Sequence, residues 1–597
     1  MIFLKDGEKR LFERILNRMD QSFDPVENMM TEWRGKNGYH SRLEDCRVHG
    51  VVVSLEYACD LMGRGTSEDV ERVNRILEKV LPLQDKNPES KTFGIWPYFL
   101  EETLEEMGMP DWNMADFNAK RLYYLLREHA DKILPRQKKA AKEALELACQ
   151  SIKRRNVGPG YSNISIMGAY VVMAGGEYLG NTKLQEYALK RMRELYDFNM
   201  EHGALQEYNS PSYTFIVLSD LAAVLSYIKN EEFLALARDL NDMVWRCLAE
   251  HFHYRTGQWA GPHSRLYGML QNDQILMQIQ RALDYRITLV DLEKEGLEEC
   301  LPMCFFTVRS HCPEAFVDYF VQDARERFGY THYLWTKDKR EDDIAASYLT
   351  EDFTLGSFQK AIFWNQRRSH ISYFGTRQEP VYCCMRCLHD FYDYSSGLHV
   401  TAQDKNRTLT AFGFGMDGGD AHPDLDKVHE GRIRAKDLRV RFEIGGGVSN
   451  VSIRQEGREF YVKIGERTLH ISVPAAVLNG REARCCVTED NHHVEETGNH
   501  REECSVKCVD IVLYEGEETE IDFGTLESCF GVIGFEVLHS KEAPGELPKV
   551  AVEGDTLTAV MGNLKVEAPV KAVTLQEHLH KTSAWVEGRN YLDLVEK

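Results

Sequence analysis

The sequence lacks long apolar runs, an excess of positive charge and an export signal. No stretch approaches the roughly 18–20 apolar residues of a membrane-spanning helix. The net charge of −22 argues against a nucleic-acid partner, because phosphate backbones are bound by basic surfaces. The opening residues, MIFLKDGEKRLFERILNRMD, are charged from the fifth position and have no apolar core followed by a small-residue cleavage site. We therefore expect an amphipathic helix, a cytoplasmic location and no membrane or nucleic-acid partner.

Metal-binding patterns are also scarce. The count of fifteen cysteines is odd, and without an export signal we expect reduced thiols. Two groups lack the paired C-x-x-C spacing of a zinc ribbon: Cys383, Cys384 and Cys387, and Cys485, Cys486, Cys504 and Cys508. The aspartate-rich stretch MDGGDAHPDLD lacks the glutamate spacing of an EF-hand loop. The sequence therefore predicts no metal and no cofactor.

The chain has 597 residues, too many for one hydrophobic core. From Lys5 to about Asp291 apolar residues recur at helical spacing, as in VERVNRILEKVLPL, without a fixed-length repeat. After about Cys300 the pattern changes to alternating and β-branched segments such as LRVRFEI and DIVLYE. These patterns predict a helical domain over residues 1–305 and an antiparallel β-domain over residues 306–597.

Two polar stretches of the second half are expected to be connections between strands. Residues 382–400 contain His389, Asp390 and Tyr392 and are expected to form a compact, turn-like loop. Residues 487–505, VTEDNHHVEETGNHREECS, are expected to form a long exposed loop.

Candidate functional residues concentrate between Glu207 and Tyr213, at the predicted start of a helix. Proline suits the first helical position, and Asn209 or Ser210 can cap the helix. A capping loop with a core tyrosine explains part of this pattern. The crowding of a carboxylate, an amide and the phenols of Tyr208 and Tyr213 favours a functional cluster.

A second cluster of candidate residues, WAGPHSRLY, contains a Gly-Pro break. His263, Arg265 and Tyr267 occupy alternate positions, so an imidazole, a guanidinium and a phenol are expected to face one cavity. Trp259 offers a stacking surface for a sugar ring, although tryptophan is also a common packing residue.

Two further stretches contain candidate substrate contacts. They are WRGKNGYHSR, with His40, and GIWPYFLEE, with Trp96. The alternative for Trp96 is a role in packing.

These stretches resemble the helical domain of heparinase II/III-like and alginate-lyase polysaccharide lyases. GALQEYNSPSYTFIVLSDLAAV is similar to the family's Gly-Ser-x-x-Glu-Gly-x-x-Tyr helix, which implies that Tyr213 is a catalytic acid or base. YSNISIMGAYVVMAGGEYLG is similar to its Asn-His helix start, which implies a charge-neutralising role for Asn163. The family's histidine is Ile164 in this sequence, and its glycine after the glutamate is Tyr208, so His263 is the candidate histidine.

The resemblance implies an N-terminal (α/α) toroid, of the (α/α)6 type and complete or incomplete, followed by an antiparallel β-sandwich. It also implies a lyase that cleaves uronic-acid-containing oligosaccharides by β-elimination. Tyr213 and His263 are the proton-transfer candidates, and the candidates for neutralising the carboxylate are Asn163, Asn209 and Arg265.

Two alternatives stay open. A glycoside hydrolase of the same helical architecture needs two carboxylates; Glu207 is the first candidate, and Asp116 or Asp273 the second. A non-catalytic glycan-binding protein needs only aromatic surfaces and a few amides.

Overall fold

A computed structural model describes residues 4–35, 39–322, 326–334, 342–417, 425–497 and 500–595. The chain forms two compact units. The first comprises Met1–Glu201, Tyr213–Trp245 and Asn272–Glu314, and the second comprises His202–Ser212, Arg246–Gln271 and Ala315–Lys597. The predicted boundary at residue 305 stays a prediction. Two segments from the first half of the chain, residues 202–212 and 246–271, belong to the same unit as the β-strands.

The first half of the chain is helical, as its periodicity predicts. Its helices are α1 (Asp6–Gln21), α2 (Val51–Arg64), α3 (Ser67–Val80), α4 (Asn113–Glu128), α5 (Pro135–Arg155), α6 (Ser162–Leu179), α7 (Thr182–His202), α8 (Pro211–Tyr227), α9 (Glu231–His251) and α10 (Asp273–Ala282). Short helices follow at α11 (Leu297–Cys300), α12 (Asp318–Val321) and α13 (Leu575–Lys581). A small sheet accompanies the helices of the first unit: β1 (Phe23–Asp24), β2 (Met29–Arg34) and β3 (Cys46–Gly50).

The helices of the first unit differ in how much of their surface is buried. α6 is apolar around most of its circumference and is buried along nearly its whole length. Helices α3 and α5 are instead amphipathic and bury one face. α2 packs against α3 and α4, and α4 packs against α5 and α6. This alternation of buried and one-sided helices is the pattern of an (α/α) toroid. Within the described ranges, each helix is too short or too polar to cross a lipid bilayer.

The second unit contains two large sheets among the described residues. The nine-stranded sheet has the order β20 (Arg484–Thr497), β21 (His500–Asp522), β15 (Arg432–Gly446), β11 (Pro380–His389), β10 (His370–Gly375), β8 (Phe353–Phe358), β7 (Asp342–Leu349) and β6 (Arg327–Leu334), with β12 (Tyr392–Asp393) beside β11. The eight-stranded sheet has the order β16 (Ser452–Glu456), β17 (Glu459–Ile464), β18 (Arg467–Leu478), β22 (Cys529–His539), β14 (Arg407–Phe414), β13 (Gly397–Asp404) and β9 (Lys360–Ile362), with β19 (Arg481–Glu482) beside β18.

The remaining strands form two smaller sheets. The five-stranded sheet contains β23 (Lys549–Glu553), β24 (Thr556–Met561), β25 (Leu564–Pro569), β26 (Ser583–Val586) and β27 (Arg589–Asn590). A two-stranded sheet contains β4 (Phe252–His253) and β5 (Gln258–Trp259).

The two largest sheets pack face to face. Their central ladders, β11 with β15 and β14 with β22, are antiparallel. The core between them takes Phe442 and Ile444 from one sheet and Ile471 and Phe535 from the other, all almost inaccessible to solvent. The five-stranded sheet covers β13 and β14. The predicted fold, a helical toroid followed by an antiparallel β-sandwich, is confirmed.

Two local predictions were wrong. Residues 382–389 are not a turn but belong to the buried strand β11. Residues 487–497 and 500–505 are not a loop but belong to the paired strands β20 and β21. In both places polar side chains hide the strand pattern. Over residues 484–494 of β20 most polar side chains are exposed, and the charge of Arg386 on β11 is neutralised by buried ion pairs with Asp393 and Glu443.

Candidate functional site

The segments around Asn209 and His263 are joined by hydrogen bonds inside the second unit. Asn209 adopts a left-handed backbone conformation, with φ of 49°, just before helix α8. Its amide nitrogen donates to the carbonyl oxygens of Ala260 at 2.7 Å and Pro262 at 2.8 Å. Its own carbonyl oxygen lies 2.7 Å from Nδ1 of His263. Asn209 therefore holds the two predicted clusters together, and its side chain is buried while doing so.

His263 is completely buried, and its surroundings fix its protonation. Burial lowers the pKa of the imidazole to about 3, so the ring is neutral at physiological pH. Because a carbonyl oxygen faces Nδ1, that nitrogen carries the proton and Nε2 is the acceptor. Nε2 lies 3.5 Å from the hydroxyl of Tyr373 on β10. The ring thus connects the Asn209 turn to the nine-stranded sheet.

Arg265 is held from several sides. Its Nε and Nη2 donate to Oε1 of Gln366 at 2.9 and 2.5 Å. Nη1 lies 3.4 Å from a carboxylate oxygen of Glu207, and Nη2 lies 3.3 Å from the hydroxyl of Tyr267. The guanidinium carbon lies 5.3 Å from the ring centre of Trp364. With 13% of its side chain exposed, Arg265 is a cation fixed in direction at the edge of the solvent.

Among the contacts of Arg265 inside the second unit, the two shortest bonds go to the neutral amide of Gln366, and the contact to the carboxylate of Glu207 is longer. A guanidinium is suited by shape to bind a carboxylate through two parallel hydrogen bonds.

Residues 364–368, Trp-Asn-Gln-Arg-Arg, form a segment beside these residues that the sequence did not predict. The segment connects β9 to β10 and is almost wholly buried, which is unusual for a connection rich in polar side chains. The backbones of His263 and Arg368 exchange two hydrogen bonds of 3.0 Å, and the N–H of Leu266 donates to the carbonyl of Gln366 at 2.6 Å. The sequence signal that could have indicated this segment is the polar run after Trp364, which lies between two strands.

Two predicted aromatic contacts are buried in the second unit. Trp259 is 1% exposed and lies on the short strand β5. Tyr208 is fully buried, stacks on Tyr333 with ring centres 5.2 Å apart, and places its hydroxyl 3.2 Å from Nε2 of His251. In this conformation both rings contribute to packing.

The other predicted site residues lie in the first unit. Tyr213 is half-buried in the first turn of α8, and Asn163 is buried at the start of α6. The ring of His40 lies 5.2 Å from that of Tyr98, and its Nδ1 lies 2.7 Å from the carbonyl of Met109. Trp96 is fully buried and donates to the carbonyl oxygen of Val80 at 3.2 Å, which is a packing role.

The two carboxylates considered beside Glu207 differ in environment. Asp116 is buried in the first unit, and desolvation raises its pKa to about 8. Asp273, at the start of α10, forms an ion pair with Lys294. Across the described part of the chain, no three His, Cys, Asp or Glu side chains form a group that could hold a metal ion.

Comparisons with known proteins agree with the fold. A family model described as a domain of unknown function (DUF8769) matches residues 9–282. No curated protein matches the chain. The structure of chondroitin AC lyase from Streptomyces coelicolor A3, in complex with chondroitin sulphate, superposes with a TM-score of 0.52 at 9% identity, covering 94% of this chain and 84% of that one. Heparinase III superposes with a TM-score of 0.46 at 8% identity, covering 96% and 92%. The chain therefore has a fold similar to that of a polysaccharide lyase.

Proposed function

We propose that this protein is a carbohydrate-active lyase that cleaves uronic-acid-containing oligosaccharides by β-elimination. The observation that carries the proposal is the fixed, partly exposed Arg265, held by Gln366 and stacked near Trp364. Such a group suits a sugar carboxylate. The similarity of fold to chondroitin AC lyase supports the same class of reaction.

β-Elimination needs the carboxylate to be neutralised before the reaction can proceed. Neutralisation acidifies the proton on the adjacent carbon, a base removes that proton, and the bond to the leaving oxygen breaks as a carbon–carbon double bond forms. An acid then protonates the leaving oxygen. We assign the neutralisation to Arg265, because fixed positive charge placed where negative charge develops lowers the barrier without reorganisation.

The proton transfers fall to tyrosine in this proposal. Tyr213 enters on the resemblance of its helix alone. Tyr267 is a second candidate, because its half-buried hydroxyl lies 3.3 Å from Arg265, the proposed carboxylate ligand. We give His263 a positioning role, since it is fully buried and neutral and bonds to the Asn209 backbone. Asn163 stays a proposed contact to the carboxylate.

The primary experiment follows the ultraviolet absorbance of the unsaturated uronate product across a panel of uronic-acid glycans. We expect Arg265→Ala to reduce kcat/KM by about 100-fold, the loss typical of removing a charge-stabilising group. Arg265→Lys should recover only a part, because lysine cannot bind a carboxylate through a planar fork. A matched control is Arg434→Ala, which removes an exposed arginine paired with Glu518.

Two variants then rank the tyrosines. Tyr213→Phe and Tyr267→Phe each remove one hydroxyl, and the catalytic one should lower kcat at least 100-fold with little change in KM. Release of reducing sugar without absorbance would instead support hydrolysis with Glu207 as a catalytic carboxylate. Binding without turnover on any glycan would support the non-catalytic alternative.

A further inference from the structure

A large cleft opens at one end of the β-sandwich in the second unit. Its volume is about 940 Å³, near the upper limit of the roughly 300–1,000 Å³ that ligand sites usually occupy. Turns of both large sheets form its walls. Residues 350–352 and 376 connect strands of the nine-stranded sheet, and residues 406 and 465–466 connect strands of the eight-stranded sheet. Arg265 and the residues that hold it are not among the lining residues.

An ion pair with a fixed geometry lies in this cleft. Arg467 donates through Nε and Nη2 to the two carboxylate oxygens of Asp352, at 2.7 and 2.9 Å. Its guanidinium carbon lies 4.9 Å from the ring centre of Phe353, which is 2% exposed. Two parallel hydrogen bonds and a buried ring therefore fix the direction of the guanidinium. The side chains of both charged residues are still 23% exposed, so a ligand in the cleft can reach them.

Charged side chains of both signs line the rest of the cleft. The side chain of Arg255 is 45% exposed, and its nitrogen lies 3.9 Å from a carboxylate oxygen of Glu351, which is too far for a hydrogen bond. Glu466 and Glu542 are also exposed. Carboxylates and guanidiniums therefore face solvent within one cleft and can form hydrogen bonds to a ligand.

The mixture of groups favours one chemical class of ligand. The lining contains two guanidiniums, those of Arg255 and Arg467, and five carboxylates, those of Glu326, Glu351, Asp352, Glu466 and Glu542. The excess of negative charge opposes an anionic ligand such as a uronic-acid glycan. A cationic ligand would place its charge beside both arginines. A hydroxyl group donates to a carboxylate and accepts from a guanidinium, so a neutral sugar can use both kinds of group.

We propose that this cleft binds a neutral oligosaccharide through the Asp352–Arg467 pair and Arg255. Neighbouring hydroxyls of one sugar ring suit the two members of the pair, and a pair that is already fixed loses little conformational entropy on binding. Thr376 and Asn406 add neutral hydrogen-bonding groups that are at least partly exposed. The proposal goes beyond the reaction assigned to the Arg265 site and does not depend on it, because that reaction needs a sugar carboxylate.

Calorimetry with cellotetraose, mannotetraose and xylotetraose tests the proposal. At least one of these neutral tetrasaccharides should bind the wild-type protein with a Kd of about 1 mM or tighter. Arg467→Met should weaken binding about tenfold, since it removes the charged hydrogen-bond donor and keeps an apolar side chain over Phe353. Arg255→Ala, at a more exposed side chain, should also weaken binding. The matched control is Arg432→Ala, which removes an exposed arginine paired with Asp522 outside the cleft.

Two results would overturn the proposal directly: no neutral tetrasaccharide binds, or binding is unchanged in both arginine variants. Binding of a tetralysine peptide that strengthens in Arg467→Met would overturn it in favour of a cationic partner. Thermal unfolding verifies that each variant is folded. Elimination on uronic-acid glycans should be the same in Arg255→Ala as in the wild-type protein, so failure of the lyase proposal and failure of this one are observed separately.

Discussion

Replacing Gln366 by glutamate tests whether Arg265 acts through its charge. The substitution keeps an oxygen where Oε1 accepts the bonds of 2.9 and 2.5 Å from Arg265, and adds a negative charge. Opposite charges about 4 Å apart interact by about 4 kcal/mol at an effective dielectric constant of about 20. Partial exposure of Arg265 reduces this to roughly 1–2 kcal/mol. The new ion pair competes with a substrate carboxylate for the same cation.

We therefore expect Gln366→Glu to bind uronic-acid oligosaccharides about tenfold more weakly, while the protein unfolds at the same or a higher temperature. Gln366→Ala removes the support without adding charge, so kcat/KM should fall while the salt dependence of binding stays as in the wild-type protein. Calorimetry at two ionic strengths measures both effects. Wild-type affinity in Gln366→Glu would refute the assignment of Arg265 as the carboxylate ligand.

Three further predictions concern stability. Gly356→Ala should destabilise the protein by at least about 2 kcal/mol, since a Cβ there would lie 1.9 Å from the carbonyl oxygen of Gly261; denaturant unfolding measures it, and an unchanged midpoint would contradict the packing. Phe391→Asn should change the free energy of unfolding by less than about 1 kcal/mol, because relief of the unfavourable φ of 67° is offset by loss of the contact between the ring and Arg439; denaturant unfolding measures it, and a loss of more than about 2 kcal/mol would contradict this balance. Asp116→Asn should stabilise the protein by up to a few kcal/mol at neutral pH. Above pH 3.8 the carboxyl of Asp116 ionises in the unfolded chain, whereas in the folded protein its pKa of about 8 keeps it protonated. The stability gained by Asp116→Asn should therefore grow from pH 4 to pH 8 and vanish below pH 4. Denaturant unfolding at several pH values measures this, and a gain independent of pH would contradict it.

The order of helices and strands could be predicted because long segments carry strong periodicity. The helical spacing of apolar residues in the first half corresponds to helices such as α3, and the alternation in residues 438–444 corresponds to strand β15. The strand β20 was not predicted because most side chains of residues 484–494 are exposed, so no apolar face repeats along them. Strand β11 was mispredicted for a different reason, since its arginine is neutralised by Asp393 of the next strand and by Glu443, which is 57 positions away in sequence.

The candidate site was only half visible in the sequence. Glu207 could be predicted because it precedes the start of α8, and His263 and Arg265 because they occupy alternate positions after a Gly-Pro break. Gln366 could not, because its meaning depends on a contact to Arg265 across 101 positions of the chain. Sequence spacing indicates which residues lie in the same turn, but only the structure shows which distant residues form hydrogen bonds.

The backbone pairing between residues 263–266 and 366–368 has a consequence for how specificity can change. The main-chain bonds of His263 and Leu266, together with the hydrogen bond from Ser210 to the carbonyl of Arg265, set the path of the chain without using the side chains of Arg265 or Tyr267. The hydrogen bonds that fix the backbone therefore do not depend on the two side chains that we propose to contact the substrate. Substitution of Arg265 and Tyr267 should change which sugars bind, neutral or differently charged, while the backbone pairing of residues 263–266 with residues 366–368 is preserved.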